Sequence, residues 1–151
     1  MEVKEIEIPL KDVPQIYQIL PRYVTPETDV DGETKFNIGV LLSEFKRNIE
    51  VFSDQHTALL KQYKKQLGDG QYGAKLIEKR DESGKKFFEV DEKSEEIFDQ
   101  KFKELSNTIK KYSCPQIPFK TVEKIISGKD IEFLAGRFIS FDKPALSEVK
   151  K

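Results

Sequence analysis

Two stretches of the chain repeat apolar side chains at alternating steps of four and three. Phe45, Ile49, Phe52, His56, Leu59 and Tyr63 make the first; Phe98, Phe102, Leu105, Ile109 and Tyr112 make the second. Such spacing gathers one stripe on one face of a helix, the seam that a partner helix covers. Between them, Lys75 to Lys79 and Lys86 to Val90 flank Asp81-Glu82-Ser83-Gly84. This pattern predicts a β-hairpin, with Gly84 supplying the positive φ of its tight turn. The helices then fold back antiparallel. Tyr112 is expected near Phe45, Ile109 near Ile49, Leu105 near Phe52, Phe102 near His56, and Phe98 near Leu59 or Tyr63.

The flanks predict shorter elements. Val3 to Ile8 has β-branched strand character, and Pro9 ends it. Val13, Ile16, Tyr17, Ile19 and Leu20 form a short amphipathic helix with Pro14 in its first turn. Residues 22–34 are a turn-rich connector. A long helix enters between Gly32 and Phe36. Phe36, Val40, Leu41 and Leu42 make its start apolar nearly all round, which predicts burial. It ends at Leu67, with Gly68 as a left-handed cap. Asp91 caps the second helix, with Glu92, Glu95 and Glu96 near its start and Lys110 and Lys111 in its last turn, as the helix dipole favours. Gln116 to Phe119 is extended, Lys120 to Ile126 a small helix ended by Gly128, and Asp130 caps a last helix reaching Phe138 and Ile139. Ile8-Pro9-Leu10-Lys11-Asp12-Val13 echoes Ile117-Pro118-Phe119-Lys120-Thr121-Val122. The two segments are expected to pair.

The resulting fold class is α+β, mainly α: an antiparallel, coiled-coil-like helical hairpin tipped by a β-hairpin, on a small base of two short strands and short helices from both termini. One domain spans 1–141, with the helical hairpin at 43–112, its β tip at 74–90, the base at 1–42 and 113–141, and a tail at 142–151. A length of 151 residues accommodates one domain with a real core. Charged residues make up 35% and apolar ones 37%, which suits a shape with much surface per unit of core.

Twenty-six basic and 27 acidic side chains leave a net charge of −1. That balance argues against strong binding to nucleic acid or an anionic membrane. No stretch approaches about 20 apolar residues, so no membrane span is expected. The charged start is unlike a signal peptide, and a cytoplasmic location is expected, in the host cell if the chain is phage-encoded. Cys114 is the single cysteine, so no internal disulfide forms.

Candidate chemistry is sparse. Gly68-Asp69-Gly70-Gln71-Tyr72-Gly73 matches G-x-G-x-x-G by letter, but the dinucleotide motif needs a strand before it and a helix after. Here the order is inverted, and a capped, glycine-rich loop is expected. Glu27 to Gly32 echoes half a calcium loop, with Ile38 where the bidentate glutamate belongs; a polar turn is expected. His56 lacks a nucleophile or carboxylate beside it, and reads as a hydrogen-bonded core histidine that fixes register. No carboxylate pair has surroundings that would split its pKa values. No catalytic residue, cofactor or metal site is expected.

The hairpin end is the candidate contact surface. Lys79, Arg80 and Lys85 cluster there, interleaved with Glu78, Asp81 and Glu82, which lower the positive potential. Tyr72, Phe87 and Phe88 add aromatic surface. Phe87 and Phe88 point to opposite faces of the hairpin, and a two-stranded ribbon buries only one face. Tyr72, Phe87, Phe88, Lys79, Arg80 and Lys85 are therefore the expected partner-binding set.

The order of "IPLKDV", "EFKRNIEVFSDQHTALLKQY", "DESGKKFFEVDEKSEEIFDQKFKEL" and "IPFKTVEKI" resembles a group of small uncharacterised phage and prophage proteins of Gram-positive bacteria. The resemblance spans roughly Val3 to Phe138 and rests on pattern rather than invariant motifs. It implies phage origin and a helical hairpin with a β tip, and supplies no catalytic residues. Prefoldin subunits are a weaker analogy, because here the helices differ in length and both ends carry extra elements. The expected function is non-enzymatic: a phage accessory protein that binds another protein, such as a host or defence protein. The alternatives are a structural or assembly protein of the virion or its tail, and nucleic-acid binding through the basic tip. The expected partner is a protein, and self-association stays open.

Overall fold

A computed structural model describes residues 2–141; the expected tail at 142–151 lies outside them. The chain is α+β. The described residues form two compact units, one taking 2–49 and 109–141, the other Glu50–Thr108.

The first unit opens with β1 (Val3–Pro9), a single turn at Leu10–Asp12 and α1 (Val13–Ile19). Val13, Ile16 and Ile19 are buried at helical spacing. α2 (Gly32–Tyr63) starts in this unit and continues into the other. Asp31 is its N-cap, its Oδ1 accepting from the Thr34 N–H at 2.7 Å. That bond satisfies one of the donors a helix start leaves open; the Thr34 side chain foremost, and then this backbone N–H, lower the carboxyl pKa by hydrogen bonding to it.

Only one stripe of this first part of α2 is buried: Thr34, Ile38, Leu41 and Phe45. Phe36 is 71% exposed and Val40 53%. The expectation that the start is buried all round is therefore wrong. The four-three-four step from Thr34 to Phe45 is an ordinary one-sided helix, and Phe36 and Val40 fall off that face.

The largest departure concerns Ile109 to Tyr112. α3 (Glu92–Ser106) stops short of Ile109, and β6 (Ile109–Pro115) pairs antiparallel with all of β1, from Val3 opposite Pro115 to Pro9 opposite Ile109. Ser106, Asn107 and Thr108 are weak helix formers in a row. Beyond them Tyr112 and Cys114 alternate into the core, a two-residue period that the heptad reading absorbed as seam. Lys110 and Lys111 are consequently strand residues, and Lys103 occupies the last turn of α3. Phe45 still meets Tyr112, at 4.8 Å between ring centroids in an edge-on arrangement. It does so as a helix residue packed on a strand.

The two Ile-Pro segments do not pair with each other. β7 (Ile117–Pro118) runs parallel to β8 (Ile139–Ser140) instead. The echo survives locally, since Ile8 and Ile117 are both fully buried, as are Val13 and Val122. α4 (Phe119–Val122) is one turn, shorter than expected. Gly128 opens α5 (Gly128–Leu134) rather than ending its predecessor. Ser127 is the cap, accepting from the Asp130 N–H at 3.1 Å. Phe138 and Ile139 lie past this helix, after Gly136 at φ +78°.

The core of the unit joins Ile8, Ile16, Leu20, Ile38, Phe45, Tyr112, Cys114, Leu134 and Phe138, among others. Asp130, 5% exposed, sits at its edge. Its carboxylate accepts from the Tyr23 hydroxyl and from Arg22 Nη1 at 3.2 Å. Burial, followed by that bond to Asp130, raises the Tyr23 pKa. Asp130→Ala leaves the buried Tyr23 hydroxyl without its acceptor. The expected cost is about 1–3 kcal/mol, seen as a lower denaturation midpoint, with Arg22→Ala costing less because that side chain is 60% exposed.

In the second unit α2 stops at Tyr63 and the chain turns at once into strand. β2 (Lys65–Gln66) pairs with β3 (Tyr72–Gly73). The glycine-rich segment is the loop of this small hairpin. Gly70, not Gly68, takes the positive φ, at +86°, because the turn closes through Gly70 N–H to Leu67 C=O. β4 (Leu76–Arg80) and β5 (Lys86–Val90) make the second hairpin. α3 (Glu92–Ser106) follows, capped by Asp91, whose Oδ1 accepts from the Ser94 N–H.

Candidate functional site

The β4–β5 hairpin turns on Asp81 and Gly84. The Asp81 Oδ1 accepts from the Ser83 N–H, the Ser83 hydroxyl and the Lys85 N–H, at 2.7–2.9 Å. These bonds, that from the Ser83 hydroxyl foremost, hold its carboxyl below the usual range. Gly84 sits at φ +82°, a conformation that costs a side chain energy. Gly84→Val should therefore disorder the turn while sparing the rest of the chain. Loss of the cross-strand nuclear Overhauser contacts between Glu78 and Phe88 would show it.

Leu76 faces Val90, Glu78 faces Phe88 and Arg80 faces Lys86 across one surface. Ile77 with Glu89 and Lys79 with Phe87 share the other. Every residue of both strands is exposed. The expectation that one face is buried fails. Phe87 is 39% exposed and Phe88 58%, and Leu76, Ile77 and Val90 are each more than 40% exposed. The ion pairs Lys79–Glu89 (2.7 Å) and Lys86–Glu78 (3.5 Å) lie about half exposed on opposite faces. Solvent-exposed pairs of that kind contribute little to stability. The Glu89 carboxylate raises the Lys79 pKa, chiefly by accepting its hydrogen bond.

Of the expected contact set, Lys79, Arg80, Lys85, Phe87 and Phe88 belong to this hairpin and its turn. Tyr72 does not: it lies half-buried on β3 opposite Gln66. Arg80 is turned back, Nη1 donating to the Gly84 carbonyl at 3.0 Å. The sequence reading missed a groove. Lys64, Lys65, Lys75, Leu76 and Phe88 line a cavity of about 490 Å³. The signal in the sequence is Lys64, Lys65 and Lys75, which flank the first glycine loop, but nothing local connects them to Phe88.

His56 is half-buried. Its ring lies 4.6 Å from Phe102 and 6.2 Å from Phe98, and those two rings stack nearly parallel at 5.9 Å. Phe52 meets Phe102 at 6.2 Å. Lys64 Nζ sits 4.7 Å above Phe98 and pairs with Glu95. Among the described residues the imidazole makes no side-chain hydrogen bond. It is held by rings, not by the hydrogen bond that the sequence reading expected.

No group of three or more His, Cys, Asp or Glu side chains converges as metal ligands among the described residues. Asp31 of the calcium-like segment serves as a helix cap. Cys114 is fully buried, and burial pushes its thiol pKa up to about 12, the opposite of an activated nucleophile. No helix among the described residues is long and apolar enough to cross a membrane.

No family model, curated protein or solved structure matches the chain.

Proposed function

We propose that this chain is a non-catalytic accessory protein that binds another protein through the β4–β5 hairpin. Phage origin, implied by the sequence resemblance, belongs to the same proposal. One observation carries it: five large apolar side chains, Leu76, Ile77, Phe87, Phe88 and Val90, are exposed on a two-stranded ribbon. Leu76, Phe88 and Val90 share one face and Ile77 and Phe87 the other; exposed apolar surface of that kind is costly to leave in water and marks a contact surface. A hairpin of two strands is itself marginal in water, so a partner that covers it gains burial and ordering together.

We read α3 and the part of α2 beyond Glu50 as a coiled-coil-like stem for this ribbon. The order of the ring contacts, Phe52 with Phe102 and His56 with Phe98, supports helices running in opposite directions. A rigid mount favours binding, because less order is lost on association.

The test is a photo-crosslinking amino acid placed at Phe88 and, as a control, at Phe36, which is 71% exposed in the other unit. Crosslinking is done in cells that express the protein together with the genome that encodes it. The expected result is a discrete adduct at position 88 only, competed by excess unmodified chain but not by the F87T/F88T variant. Equal labelling at both positions, or adducts that the F87T/F88T variant competes away, would overturn the reading.

A further inference from the structure

The groove beside the hairpin narrows the partner's chemistry; the inference rests on the protein-binding reading above. We propose that the groove lined by Lys64, Lys65, Lys75, Leu76 and Phe88 receives an acidic peptide segment of the partner, carrying a large apolar side chain.

Its lining is divided. Leu76, 46% exposed, and Phe88, 58% exposed, offer an apolar floor. The remaining lining residues are three lysines and no acid. The lysines are not equally committed. Lys64 is paired with Glu95. Lys75 Nζ donates to the Gln62 carbonyl at 3.0 Å, a neutral acceptor, with the Asp91 carboxylate nearby. Lys65 has no carboxylate partner among the described residues. The groove thus keeps positive charge beside exposed apolar surface. An apolar anchor flanked by Asp or Glu satisfies both, whereas a basic or uniformly polar segment satisfies neither.

The backbone adds an acceptor for an extended segment. Asp91 N–H donates to Lys75 C=O and Asp81 N–H to Lys85 C=O. In an antiparallel ladder, hydrogen-bonded and non-hydrogen-bonded pairs alternate. With the register of β4 and β5, the peptide groups of Leu76 and Phe88 then face outward along the two edges. An extended partner segment in the groove can pair with the Leu76 edge while its side chain packs on Phe88, the strand-addition mode of peptide recognition.

The experiment is selection of a random-peptide display library on the immobilised full chain, followed by affinity measurement of the enriched peptides. The expected sequences carry Asp or Glu beside one large apolar residue. Their Kd should rise about tenfold or more with either K65E or F88T, roughly 1.4 kcal/mol or more by the usual conversion. It should also rise from low to moderate salt. Circular dichroism melts of both variants guard against unfolding. Enrichment of basic or uncharged peptides, Kd values indifferent to K65E, or full competition by a single-stranded oligonucleotide would each overturn the inference. None of these touches the crosslinking at position 88. A partner trapped there but indifferent to K65E sinks the acidic-segment inference and leaves the protein-binding reading standing.

Discussion

Phe45→Ala should cost the first unit about 3–5 kcal/mol, the range for deleting a fully buried aromatic ring. The ring is 0% exposed. It meets Tyr112 edge-on at 4.8 Å and Phe138 edge-on at 6.2 Å, so two further aromatic side chains lose contacts at once. Edge-on pairs add about 0.5–1.5 kcal/mol each beyond their area. Tyr112 is further fixed by the Asn48 Nδ2 donating to its hydroxyl at 2.7 Å. With Phe45 gone, nothing of similar size backs that residue from α2. A guanidinium titration should show the midpoint for this unit collapse. Val40→Ala, one turn earlier but 53% exposed, should stay within about 0.5 kcal/mol of the parent.

Alkaline pH should destabilise the protein through the thiol of Cys114. Burial raises its pKa from 9.0 to about 12 in the folded chain. Below pH 9 the thiol is protonated in both states and contributes no pH dependence. Above it the unfolded thiol loses its proton while the folded one keeps it, so the unfolded state binds fewer protons and stability falls as pH rises. The window runs from about pH 9 to about pH 12. Three pH units at about 1.4 kcal/mol each give at most about 4 kcal/mol. Burial raises the pKa values of Tyr23 and Tyr112 as well, which steepens the fall above pH 10. Melting curves from pH 8 upward should show the decline, and Cys114→Ala should flatten it while leaving the tyrosine part. In the folded protein near neutral pH the thiol should resist alkylation, since it is both buried and protonated.

What the chain discloses about itself differs between its parts. The β4–β5 ribbon was legible because its signals are local: a glycine that must take positive φ and an aspartate that can hold the turn. α3 declared its beginning for the same reason, through Asp91 and the acids after it. Its end was misread because Ile109 and Tyr112 satisfy the helical stripe and the strand alternation alike. Only pairing with a segment about 100 residues away decides between them. β7 has the same character, since its partner is Ile139–Ser140 and no local residue announces it. At the candidate site, Phe87 and Phe88 were visible as adjacent aromatics facing opposite sides. The groove was not, because Lys64 and Lys65 approach Phe88 only once the chain has folded.

The melting temperature of the F87T/F88T variant, read beside that of F45A, tests the central claim most directly. Threonine keeps the strand preference of the ribbon while removing its aromatic surface. The double variant is expected to melt within a few degrees of the parent while failing to compete for the partner crosslinked at position 88. A fall as large as that of F45A would mean that these rings hold the fold together, and the binding surface would have to be sought elsewhere.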